Sequence, residues 1–238
     1  MYSWYPQDKK ELIKFLDKYL NSKQNILVNE IHGLIVPHAG YEFSGEITGK
    51  AYSLLKNLKQ KKAIILSPSH YIPLTEIKTY NQSSWNTPLE NIPITKNNYQ
   101  KLDIHMEHAI DNQIPFLQRL NFKEILPLII GEINEKQAIK TAEELAKMKD
   151  VIFIISTDLS HFNSYEKAKQ IDKNTIELIK TLNNKNQNQL DACGKYPLMI
   201  LIELCKIKKW SPKLIEYKNS GDITGEKSSV VGYASFYF

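Results

Sequence analysis

Cysteine and arginine are almost missing from this chain, and both shortages are informative. Two cysteines, Cys193 and Cys205, among 238 residues cannot make a disulfide framework and fit a reducing compartment. If the apolar run from Pro197 to Cys205 is helical, the pair stands more than ~12 Å apart, too far to bridge. Arg119 is the lone arginine beside 30 lysines, so the net charge of +5 lacks the guanidinium forks that read bases and phosphates. The lysines accompany 30 Ile and 19 Asn, a third of the chain written largely by A/T-rich codons, and they alternate with acids in stretches such as KTAEELAKMKD. They read as solvated helix faces, and no nucleic-acid partner is expected. No apolar run exceeds the length of ILPLII or VIFII, well short of the ~20 residues of a membrane helix. The first twenty residues carry acids and no apolar signal core, so a cytoplasmic protein without a membrane partner is the expectation. HExxH, paired CxxC, G-x-S-x-G, P-loop and GxGxxG motifs are all missing, which removes the usual zincin, zinc-ribbon, α/β-hydrolase, NTPase and dinucleotide readings.

What is present describes one domain large enough to bury its own core, with 42% apolar and 24% charged residues. Apolar runs at 32–38, 61–69, 123–131 and 151–157, then a closing pair KLIEYKN and SVVGYASFYF, read as strands. Helices are expected at about 10–20, 45–58, 107–120, 135–148, 164–182 and 197–207, with Ser44, Asn134 and Asn163 as N-caps and Pro115 kinking or splitting the third. Continuous apolar strands separated by helices point to an α/β sandwich around a largely parallel or mixed sheet. The irregular stretch 71–105 is expected to be functional or to carry its own hairpin. The polar run at 183–189 reads as a plain connection.

Ligands of open α/β sheets bind beyond the carboxyl ends of the strands. Three such ends carry histidine: His38 after the first strand, His70 in SPSH after the second, and His161 with Asp158 in STDLSH after the fourth. Imidazoles gathered with a carboxylate suggest a metal site. Cys193 stands before Gly194 and a helix, where backbone N–H groups and the dipole would favour a thiolate. Gly40 and Gly194 would let their loops fold closely around such a site. His32 and His105 read as hydrogen-bonded core or rim residues, and Cys205 as a core hydrophobe. Glu107 and His108, with Asp111 one turn on, either line a cleft or form a solvated first helical turn. Ser67, Ser69, Ser156 and Ser160 neighbour the histidines without a nucleophile elbow.

VPHAGYEFSG, SPSHY, EHAIDNQIPFLQ, STDLSHF and ACGKYP, in this order from about 36 to 197, resemble the signature segments of the Memo family. Prokaryotic members of that family are often labelled AmmeMemoRadiSam system protein B. The resemblance implies a fold similar to the class III extradiol dioxygenases, with a metal-dependent oxidoreductase site at one end of the sheet. It implies His38, His70 and Cys193 as metal ligands, Asp158 and His161 beside the metal, and Glu107 with His108 lining the pocket. The related dioxygenases hold iron with two His and a carboxylate, whereas a thiolate in the third place softens the site toward Cu(I), Zn or Fe(II); a redox-active iron or copper ion is the expected cofactor, with zinc not excluded. Ring cleavage therefore does not follow from the fold. The alternative is a peptide- or partner-binding module that keeps an enzyme-like pocket, with Tyr41, Tyr71 and Trp85 as contacts. A third is a partner protein of a radical-SAM enzyme.

Overall fold

The chain threads the centre of its sheet with four parallel strands, and the alternation of apolar side chains along each strand supplies two cores. In the computed structural model, which describes residues 4–21, 26, 30–103, 107–183 and 187–238, β1 (Gly33–Val36) and β2 (Lys62–Pro68) flank β8 (Ile152–Ser156), and β7 (Glu124–Ile130) pairs outside β2. All three pairings are parallel. Beyond β1 runs β11 (Val230–Tyr237), antiparallel to it, and then β10 (Lys213–Asn219), antiparallel to β11; beyond β7 runs β3 (Ile77–Tyr80), antiparallel to β7, and then β6 (Gln100–Leu102), parallel to β3. The short β9 (His161–Asn163) pairs with β11. The expected α/β sandwich with a mixed sheet is what the chain forms.

Leu34, Val36, Ala63, Ile65, Ile125, Ile152 and Ile154 face a layer of α1 (Lys9–Leu20), α2 (Tyr41–Ser53), α3 (His108–Asp111) and α4 (Ile114–Arg119). Ile35, Ile64, Leu66, Leu126, Phe153 and Ile155 face α5 (Glu135–Leu145), α6 (Tyr165–Lys180) and α7 (Lys195–Lys208). Period-two alternation with apolar residues at every step is what strands covered on both faces require.

Helix ends follow local chemistry. Asp8 caps α1 by accepting from the Lys10 and Glu11 amides, and Asn134 with Gln137 closes the capping box of α5. Ser164, not Asn163, precedes α6. Helix α2 begins at Tyr41 after Gly40, ahead of the expected start, because Ser44 donates its hydroxyl back to the Ala39 carbonyl instead of capping. Its far end stops at Ser53, and Leu55 continues only as a turn. Pro115 splits the third helix, standing in the first turn of α4 where its missing N–H costs nothing. The irregular stretch adds β3 and β6 to the sheet and folds β4 (Ser84–Asn86) with β5 (Asn91–Pro93) as a hairpin. Cys205 is a core residue of α7, as its apolar stripe suggested.

Ile154 is fully buried at the middle of β8, paired on both sides. Ile154→Ala is expected to cost about 2–5 kcal/mol, read as a lower urea midpoint with an unchanged m value.

Candidate metal centre

Because β1, β8 and β2 run parallel and in register, with Val36 opposite Ser156 and Ile35 opposite Ile155, their carboxyl ends release His38, Asp158 and His70 at one edge of the sheet. His38 is buried and held through its amide, its carbonyl and Nδ1. Its amide donates to Asp158 Oδ1 at 2.8 Å, and its carbonyl accepts from Asn112 Nδ2. Its Nδ1 lies 3.0 Å from Ser156 Oγ. The Ser156 hydroxyl gives its proton to the Ala109 carbonyl at 2.6 Å and accepts from Gln113 Nε2 at 2.9 Å. Toward His38 it is therefore an acceptor, so Nδ1 carries the proton and Nε2 presents a lone pair. Burial, with His70 and His108 as neighbours, pushes the His38 pKa well down and keeps the ring neutral.

His70 is fixed by Glu107, the N-cap of α3. One carboxylate oxygen accepts the His70 amide and the other lies 2.8 Å from His70 Nδ1. The second oxygen also lies 3.0 Å from His108 Nδ1 and accepts the Ala109 amide. Burial would raise the Glu107 pKa, but hydrogen bonds from His108 and His70 outweigh it and hold the carboxyl far below its ordinary range. His108 stacks under Trp4 with ring centroids 4.4 Å apart and meets the Tyr71 hydroxyl at 2.9 Å. One ring nitrogen from each of His38, His70 and His108 lies within 4.8 Å of the other two, so this group could hold a metal ion.

Cys193 completes the edge. Its Sγ is 3.2 Å from His38 Nε2 and accepts the Asp158 amide at 3.1 Å. Gly194 is required here, since a Cβ would press into the Thr157 side chain. The thiolate expected from the helix start is not what this setting favours. Burial, reinforced by the Asp158 carboxylate, pushes the thiol pKa up and outweighs the backbone N–H groups, so without a cation Cys193 is a neutral thiol. Asp158 is itself buried, which raises its pKa against the His38 and Ala39 amides that lower it.

Several expectations from strand position meet a different outcome. His161 does not join the His38–His70 group; His108 takes that place from a helix N-terminus. His161 sits on β9, near enough for its charge to bear on Asp158 and His38. Tyr41 and Trp85 are buried and cannot be ligand contacts, which leaves Tyr71 exposed. Asp111 accepts from the Tyr5 hydroxyl and Trp85 Nε1, each at 2.7 Å, and so braces α3. His32 stacks on Trp210 before β1, away from the site. His105 lies outside the described residues. Gln113 and Asn112 carry no strand-end signal; their only sequence mark is the EHAIDNQ segment they share with Glu107.

The depressed Glu107 pKa has a stability consequence. A carboxyl whose folded pKa lies below its unfolded value of 4.5 stabilises the fold above that pH, and the contribution is lost as pH falls toward the folded value. Glu107→Gln is expected to destabilise the protein at pH 7, with the gap to the wild type narrowing below about pH 4.5 in urea titrations.

No helix among the described residues is long and apolar enough to cross a membrane. The family model for Memo-like proteins matches residues 2–237. A MEMO1 family protein of Methanobrevibacter smithii is 34% identical over 275 residues, covering 99% of this chain and 96% of the relative. Its counterpart in Aquifex aeolicus is 30% identical over 259 residues with 99% and 96% covered. That of Sulfurisphaera tokodaii is 33% identical over 231 residues, with 86% and 81% covered. With its histidine cluster at the sheet edge and a match along nearly its full length, the chain belongs to the Memo-like family.

Proposed function

We propose that this chain is a metal-dependent oxidoreductase, dioxygenase-like in the placement of its site, in which His38, His70 and Cys193 hold iron or copper. The observation that carries this reading is the pairing of His38 Nε2, freed as a lone pair by Ser156, with Cys193 Sγ 3.2 Å away. With metal–nitrogen bonds of about 2.0–2.1 Å and metal–sulfur bonds of about 2.3 Å, adjacent ligands of one ion stand roughly 3.0–3.5 Å apart. The His38–Cys193 spacing supports two ligands of one ion, while the ring nitrogens that lie together among the described residues are those of His38, His70 and His108. His70 is held through Nδ1 by Glu107, the carboxylate–histidine arrangement that orients a metal ligand and leaves Nε2 outward.

An iron or copper ion held by this set would supply redox chemistry and polarise a bound substrate. The surrounding residues have separate tasks. Glu107 sets the orientation of His70 and His108 together, and His108, fixed also by Tyr71 and Trp4, lines the pocket. Asp158 grips the His38 and Ala39 amides and bears electrostatically on His161, which acts as general acid and base at the rim. The Cys193 proton must leave before sulfur can bind a cation, so metal affinity rises with pH.

A second reading is supported by one observation. Phe162 is 80% exposed beside His161, and exposed Trp4 and Tyr71 stand against His108, a surface suited to a peptide or a protein partner such as a radical-SAM enzyme.

Protein purified anaerobically is expected to carry about one equivalent of iron or copper by elemental analysis. His38→Ala and Cys193→Ala should lose it, whereas His161→Ala should keep the metal and lose turnover. Metal-free wild-type protein, with partner binding indifferent to His70→Ala, would discard the enzyme reading in favour of the second.

A further inference from the structure

Asp172 is a fully buried acid on α6 that the proposed chemistry leaves unused. Among the described residues no cation lies within ion-pair distance of it, so its burial must be offset by hydrogen bonds. Two donors converge on the carboxylate: the Ser160 amide on Oδ1 at 2.9 Å and the Tyr217 hydroxyl of β10 on Oδ2 at 2.7 Å. Both partners donate, so the position calls for a group that only accepts. An amide in its place would turn an N–H₂ toward one of them.

The carboxylate also fixes what may stand opposite. Gly232 of β11 packs so closely that a Cβ there would overlap the Asp172 carboxylate. Gly232 in turn donates its amide to the Ser160 carbonyl at 2.9 Å, and its own carbonyl accepts the Leu159 amide at 2.8 Å. Ser160 is thus held from α6 through its N–H and from β11 through its C=O. It lies between Asp158 and His161.

The segment needs such a hold. Phe162, immediately after His161, has φ of 59°, a left-handed conformation that a bulky side chain adopts only when its surroundings impose it. Across the pairing, β11 carries a register shift between Val230 and Val231, opposite Asn163 and His161.

We propose that Asp172 is a positioning residue that, through Ser160, sets the His161 ring relative to Asp158 and the metal centre. The proposal rests on the reading of His161 and Asp158 as the acid–base pair of that centre, but its test does not need the metal. In chelator-treated full-length protein, long-range ¹H–¹⁵N spectra report each imidazole, with His161 identified by the peaks missing in His161→Ala. Asp172→Asn is expected to shift the His161 cross-peaks and its titration midpoint while leaving those of His32, beyond the other end of β1, in place. Tyr217→Phe, which keeps the Ser160 bond, should move His161 less than Asp172→Asn does. If Asp172→Asn does not fold, Asp172→Glu keeps the charge on a longer arm and should give the same displacement. His161 signals that superimpose on the wild type in a variant of lowered Tm would overturn the proposal, reducing Asp172 to a stabilising contact. Failure of the metal reading would show separately, as wild-type protein without metal and a His161 that still responds to Asp172.

Discussion

Parallel pairing of β8 with both β1 and β2 is the constraint from which the rest of the site follows. Parallel strands send their carboxyl ends to the same edge, and helices must then cover both faces to return the chain. The register turns this into chemistry. Ser156, the last residue of β8, lies beside Val36 and so meets the His38 ring just beyond, while Asp158 reaches back to the His38 amide. A slip of one residue would turn Ser156 to the other face of the sheet and leave the His38 ring without its acceptor.

Two carboxylates of opposite electrostatic character divide the work around that edge. Glu107 gathers N–H donors from His70, His108 and the first turn of α3, and stays ionised although buried. Asp158 has fewer donors and sits against the Cys193 sulfur, where burial raises both pKa values. Beside the Cys193 sulfur stand a neutral His38 and the buried Asp158 carboxyl. A cation at that sulfur would offset the desolvation that raises the Cys193 pKa.

Much of the architecture was legible in advance because it rests on periodicity and on residues with one conformational use. The unbroken apolar runs of β2, β7 and β8 identify strands buried on both faces. The Asn134 cap and Pro115 mark helix boundaries for local reasons. The start of α2 was not legible, because the Ser44 hydroxyl chose a carbonyl over a cap and Tyr41 is anchored by the distant Trp4 carbonyl and Asn112.

Sequence by itself determined the sandwich, the placing of His38, His70 and Asp158 at strand ends, and, through its ordered segments, the family. These depend on pattern and chain order, which a sequence displays directly. Tertiary structure alone decided that His108 and not His161 stands with His38 and His70, that Cys193 rests as a thiol, and that Tyr41 and Trp85 are interior. Each of those outcomes turns on distances between segments tens of residues apart and on the water they exclude, and neither is written in the spacing of residues along the chain.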